Sequence, residues 1–132
     1  MYKILGIINV ILIIVITSPY WIRRLSKWIF PDKKIASTRL MKMLRAVHKP
    51  FGICFLLITF VHGYLALGSP RLHTGTLVGI MVLVTVVLGG TFFRTKKAVF
   101  FKWHKRAALL TVILILLHLI VPNALYYITR LL

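Results

Sequence analysis

Residues 46–67 read AVHKPFGICFLLITFVHGYLAL, an apolar run with a histidine near each end, His48 and His62, and no acidic residue. At a rise of about 1.5 Å per residue, such a helix crosses a hydrocarbon core about 30 Å thick. Three further runs of this kind occupy residues 4–22, 74–93 and 100–127. Of the 132 residues 60% are hydrophobic and 14% charged, above the roughly 45–50% apolar content of soluble domains. The expected fold is therefore an all-α membrane protein, with residues 1–132 forming a single four-transmembrane-helix up-and-down bundle.

Turn signals separate the runs: Phe30-Pro31-Asp32 in the first connection, Gly68-Ser69-Pro70 in the second, and Arg94 to Lys97 in the third. The first run ends in Ser18-Pro19-Tyr20-Trp21 and then Arg23-Arg24, without a small-x-small cleavage pattern, and reads as a retained span. Residues 37–47 interleave Leu40, Met41, Met43 and Leu44 with Arg39, Lys42 and Arg45; they read either as a helix along the headgroups or as an extension of the second span. The single cysteine, Cys54, lies inside an apolar run and reads as a small buried hydrophobe.

The net charge is +17, with Asp32 the one acidic residue. Lysines and arginines crowd the first and third connections, whereas the second holds only Arg71 and the ends hold only Lys3 and Arg130. By the positive-inside rule the crowded connections face the cytoplasm and both termini lie outside. Trp21, Trp28 and Trp103, with Phe92-Phe93 and Phe100-Phe101, fall where an inner aromatic belt belongs. This charge beside apolar spans suits anionic inner-leaflet headgroups, and it argues against nucleic acid, which calls for a basic soluble module. The expected location is the cell membrane, with several passes, and a homo-oligomer is compatible with it.

Four of the five histidines fall on two spans: His48 and His62 on the second, His104 and His118 on the fourth. Each pair is fourteen residues apart, which sets its members about 21 Å apart along the axis and near one helix face. The two spans run in the same direction, so His48 is level with His104 near the inner surface and His62 with His118 in the outer half. Imidazoles are costly in a bilayer and mark a pathway or a cofactor there. Zinc would want four converging ligands, and these spans offer neither carboxylates nor a second cysteine. Two level imidazole pairs suit instead two b haems, each iron held from both sides.

A flat cofactor needs small walls. Gly52, Ala66 and Ala108 stand one turn after His48, His62 and His104, and Gly63 and Ala107 lie beside them. Pro122, one turn after His118, is expected to bend the fourth helix. Arg45, Lys49, Lys102, Lys105 and Arg106 flank the inner pair as candidate propionate partners; Arg71 and Arg130 are the outer candidates. Gly75 and Gly79 read as a packing motif, His73 as a loop histidine, and Tyr64, Tyr126 and Tyr127 as interface anchors. The first span reads as a shield against lipid, with no chemical part.

At these residues the chain resembles small di-haem b-type membrane cytochromes, related in plan to the ferric-reductase-like transmembrane domain, in which each of two helices carries two spaced ligand histidines. The resemblance covers roughly residues 46–122. It implies the ligands His48, His62, His104 and His118, with haem cofactors and an oxidoreductase's electron transfer across the membrane between a cytoplasmic-side donor or quinol and an acceptor. The chain departs from larger members in having four spans and no flavin or nicotinamide domain, which leaves donor and acceptor unspecified. Small haem-responsive membrane proteins are also similar, and they imply an alternative, in which the chain sequesters or senses haem and protects against haem or oxidative stress.

Overall fold

In the computed structural model, residues 1–29, 38–68 and 73–122 are described. Four helices follow one another: α1 (Tyr2–Ile29), α2 (Arg39–Leu67), α3 (Thr74–Thr95) and α4 (Ala98–Ile120). Each is long and apolar enough to cross a membrane. Pro31, Asp32, Ser69, Pro70, Arg71, Tyr126, Tyr127, Arg130 and the end of the fourth expected span lie outside the described residues.

The helices overrun several expected bounds. α1 continues through Pro19 to Ile29. A proline removes the donor that would serve the carbonyl four residues earlier, here that of Val15. The Ser18 hydroxyl replaces it, donating to the Val15 carbonyl at 2.7 Å. No carbonyl is thereby orphaned in an apolar medium, and the helix has no reason to stop. α2 begins at Arg39, so the basic segment before the second span extends that span. Its 29 residues come to about 43 Å, longer than the hydrocarbon core, which puts the turns bearing Arg39, Lys42 and Arg45 at headgroup depth.

Thr38 caps α2, its hydroxyl accepting the Met41 N–H, and Gly68 ends it with φ of 64°, a left-handed conformation open to glycine. α3 turns into α4 through Lys96 and Lys97 alone, with the Lys96 N–H donating to the Phe92 carbonyl at 2.8 Å. α4 ends at Ile120, two residues before Pro122, so that proline follows the helix end instead of bending the helix.

α1 packs on α2, α3 on α4, and the two hairpins meet along α2 and α3, while other helix pairs approach only sparsely. Phe55, Val78 and Val82 are buried at the centre, with Leu12, Ile13, Ile16, Leu114 and Ile115 against them. Phe55 lies seven residues from both His48 and His62, and the buried Thr111 seven from both His104 and His118. The histidine spacings of two heptads thus carry a buried residue halfway along, as a seam between nearly parallel helices requires. Thr59, Thr85 and Thr111 each donate a hydroxyl to the carbonyl four residues earlier, so their burial leaves no donor unmet. Cys54 is exposed, not buried, and faces away from this core.

Candidate histidine centre

All four intramembrane histidines are tied by Nδ1 to the helix that precedes their own. His48 Nδ1 donates to the Ile16 carbonyl at 3.0 Å and His62 Nδ1 to the Tyr2 carbonyl at 2.8 Å, both on α1. His104 Nδ1 donates to the Thr85 carbonyl of α3 at 2.8 Å. His118 Nδ1 lies 2.8 Å from the Thr74 hydroxyl. That hydroxyl sends its one proton to the Pro122 carbonyl, so His118 must be the donor. A carbonyl only accepts, so Nδ1 carries a proton in all four rings, and in the neutral form of each the lone pair is on Nε2. Such an anchored ring is how proteins orient a metal-binding imidazole and raise its basicity.

Close helix approach makes these bonds possible. A Cβ on Gly6 would stand 3.2 Å from His62 Cε1, one on Gly75 3.2 Å from His118 Cε1, and one on Gly89 3.0 Å from His104 Cε1. Each value is shorter than the about 3.5–4.0 Å at which carbon atoms rest. Gly75 is therefore a packing glycine whose contact is the proposed ligand itself. Gly6 and Gly89 were not singled out by the sequence reading, although Gly75 and Gly89 repeat the fourteen-residue ligand spacing.

The two hairpins repeat one another. Gly75 follows Gly6 by 69 positions and Thr85 follows Ile16 by the same 69, while His104 and His118 each follow their α2 counterparts by 56. One hairpin plan, in which a first helix supplies acceptor and glycine and a second supplies two histidines, is used twice. Besides covering one side of α2, the main chain of α1 accepts the Nδ1 protons of both α2 histidines.

The level pairing is visible at the inner end. The His48 and His104 ring centroids are 6.2 Å apart with planes at 83°. Two imidazoles gripping one metal from opposite sides, with metal–nitrogen bonds of about 2 Å, put their centroids about 6 Å apart. At the outer end the ring against His118 is that of His73, 5.7 Å away with planes at 84°. His73 caps α3, its Nδ1 accepting the Gly75 N–H at 3.3 Å. Its neutral form thus carries the proton on Nε2, the tautomer opposite to the other four.

The proposed walls and cations fall as follows. Gly52 is half-buried and a Cβ there would meet nothing within 4 Å; the same holds for Gly63. Ala107 is buried. Lys49 Nζ lies 3.2 Å from the centroid of the Phe93 ring, Lys105 Nζ 4.8 Å from that of Phe101, and the Arg106 guanidinium 5.1 Å from that of Trp103. With Arg45, all are exposed at the basic end.

The donor set fits haem. Among the described residues, no three His, Cys, Asp or Glu side chains converge to hold a metal ion. A pair of imidazoles, as His48 and His104 form at the inner end, would suit a metal carried in its own macrocycle, and α2 approaches α4 only sparsely. Comparison with known protein families, with curated proteins and with solved structures finds no match to this chain.

Proposed function

We propose that the protein is a di-haem b-type cytochrome of the cell membrane, carrying electrons from a cytoplasmic-side donor or quinol to an acceptor on the other side. The observation that carries this reading is the shared anchoring of four intramembrane imidazoles, each with Nδ1 engaged and the Nε2 lone pair left for a metal. Haem held between two histidines would supply a one-electron couple suited to outer-sphere transfer. His48 and His104 would hold the inner group, and His62 and His118 the outer one. Carbonyls of α1 and α3 hold three of the rings and the Thr74 hydroxyl holds that of His118, which would keep ligand reorganisation small. The cations Arg45, Lys49, Lys105 and Arg106 would meet propionates, an anionic donor or the anionic lipid of the inner leaflet.

A pyridine-haemochrome assay on purified protein, normalised to protein, tests the reading. Two b haems per chain are expected, and loss of one on His48→Ala and of one on His118→Ala. Folded parent protein without a Soret band, after expression with ample haem, would remove the proposal's basis.

One observation favours a second reading, haem sequestration or sensing. All four ligand rings are only half-buried, and Gly52 and Gly63 face open space, so a planar ligand can enter from the side. Transfer of haem to apomyoglobin discriminates: release within minutes favours sequestration, whereas retention over hours with reduction of an external acceptor favours electron transfer.

A further inference from the structure

α1 is held to the bundle through α2 and approaches α4 only sparsely. Between α1 and α4 a groove of about 340 Å³ remains, walled by Val10, Ile14 and Thr17 on one side and by Ile115, Leu116 and Leu119 on the other. The Thr17 and Ser18 hydroxyls donate to carbonyls of their own helix, so the groove presents no free hydroxyl proton. At the basic end of α1 a second cavity of about 360 Å³, lined by Trp21, Arg24, Leu25 and Trp28, adjoins it, with Trp21 and Leu25 shared between the two. From Val10 to Leu25 the α1 wall extends about 22 Å, enough for one leaflet's share, about 15 Å, of the hydrocarbon core plus its interface.

The chemistry changes along this path from hydrocarbon to a cation flanked by two indoles. The Arg24 guanidinium has no carboxylate partner among the described residues, which contain no acidic side chain. Its Nη1 rests 3.5 Å from the Tyr20 hydroxyl on the same helix. A guanidinium matches the oxygens of a phosphate with two parallel hydrogen bonds, and interfacial tryptophans add N–H donors at headgroup depth. Charge favours an anionic occupant, since Arg23 and Lys27 add to the field on the same turns.

We propose that the joined groove is a structural site for one anionic phospholipid, its phosphate at Arg24 between Trp21 and Trp28 and an acyl chain lying between α1 and α4. The lipid completes the side of the bundle that α1 leaves open. It thereby steadies the helix whose carbonyls hold His48 and His62. The site stands on the groove and its charge, independently of haem.

Native mass spectrometry of the full chain in detergent, titrated with phosphatidylglycerol or phosphatidylcholine of equal chain length, tests it. One phosphatidylglycerol should survive delipidation on the parent. Its affinity should fall about tenfold or more in Arg24→Gln, the scale of a lost charge-assisted hydrogen bond. Lys27→Gln, which removes the same charge from a residue outside the cavity, should lower it by a clearly smaller factor. Leu116→Trp, which fills the groove, should weaken binding with Arg24 intact. Thermal unfolding read alongside should show phosphatidylglycerol stabilising the parent and not Arg24→Gln, with lipid-free melting alike in both. Equal losses in Arg24→Gln and Lys27→Gln, equal binding of the two lipids, or displacement of the lipid by an uncharged isoprenoid quinone would overturn the proposal.

Discussion

Gly89→Ala isolates the contact on which the inner histidine pair depends. The added Cβ would stand 3.0 Å from His104 Cε1 and 3.1 Å from its Nδ1. Carbon–carbon contacts rest at about 3.5–4.0 Å, so ring or helix must yield by roughly half an ångström or more. The ring cannot simply retreat, because Nδ1 is tied to the Thr85 carbonyl at 2.8 Å on the same helix as Gly89. Overpacking of this kind costs about 1–3 kcal/mol, and stretching the hydrogen bond adds about 1 kcal/mol. Alanine's better helix propensity returns up to about 1 kcal/mol. The expected net loss at the inner site is therefore about 1–3 kcal/mol, or about tenfold to a hundredfold in haem affinity. Gly90→Ala is the control: it takes the propensity gain while its Cβ meets nothing within 4 Å. Haem titration into the apoprotein, followed in the Soret band, should show one weakened site in Gly89→Ala and two parent-like sites in Gly90→Ala. Two undisturbed sites in Gly89→Ala, with unchanged melting, would refute the claim that this glycine makes room for a ligand.

Three further substitutions test the hydrogen-bond assignments. Thr74→Val removes the acceptor of His118 Nδ1 and should weaken outer-site haem by about 1–3 kcal/mol, the scale of a buried donor left unmet, whereas Thr74→Ser should retain it; equal behaviour in haem titration would count against the tautomer argument. His73→Ala should leave both haems in place in the pyridine-haemochrome assay, because the ring's Nδ1 lone pair already serves the Gly75 N–H; loss of one haem would make His73 an outer ligand. Asn9→Leu replaces a side-chain oxygen buried without a partner among the described residues, and should raise the melting temperature by a few degrees, the effect of relieving about 1 kcal/mol in a chain of this size. Unchanged or lowered melting would mean that this oxygen has a partner in the membrane.

The sequence by itself determined the number of spans, because apolar runs and basic connections are local properties read along the chain. It also placed His48 level with His104, because helices separated by one hairpin run in the same direction. It misjudged helix ends. α1 runs on past the expected end at Ile22 to Ile29, and of the two readings of residues 37–47 the extension of the second span is the one the structure has from Arg39 on. The anchoring of the four histidines was not legible at all. Main-chain carbonyls at Tyr2, Ile16 and Thr85 carry no residue-type signal, so α1 looked inert until its packing against α2 was known. Gly6, Gly75 and Gly89 acquire meaning in the same way, from the ring each one faces across a helix contact. His73 shows the division most plainly: its position beside α3 follows from the sequence, but whether its Nδ1 gives or takes a proton is decided by the Gly75 N–H that tertiary and capping geometry place against it. Periodicity fixes what each helix offers to its neighbours; only packing decides which neighbour receives it.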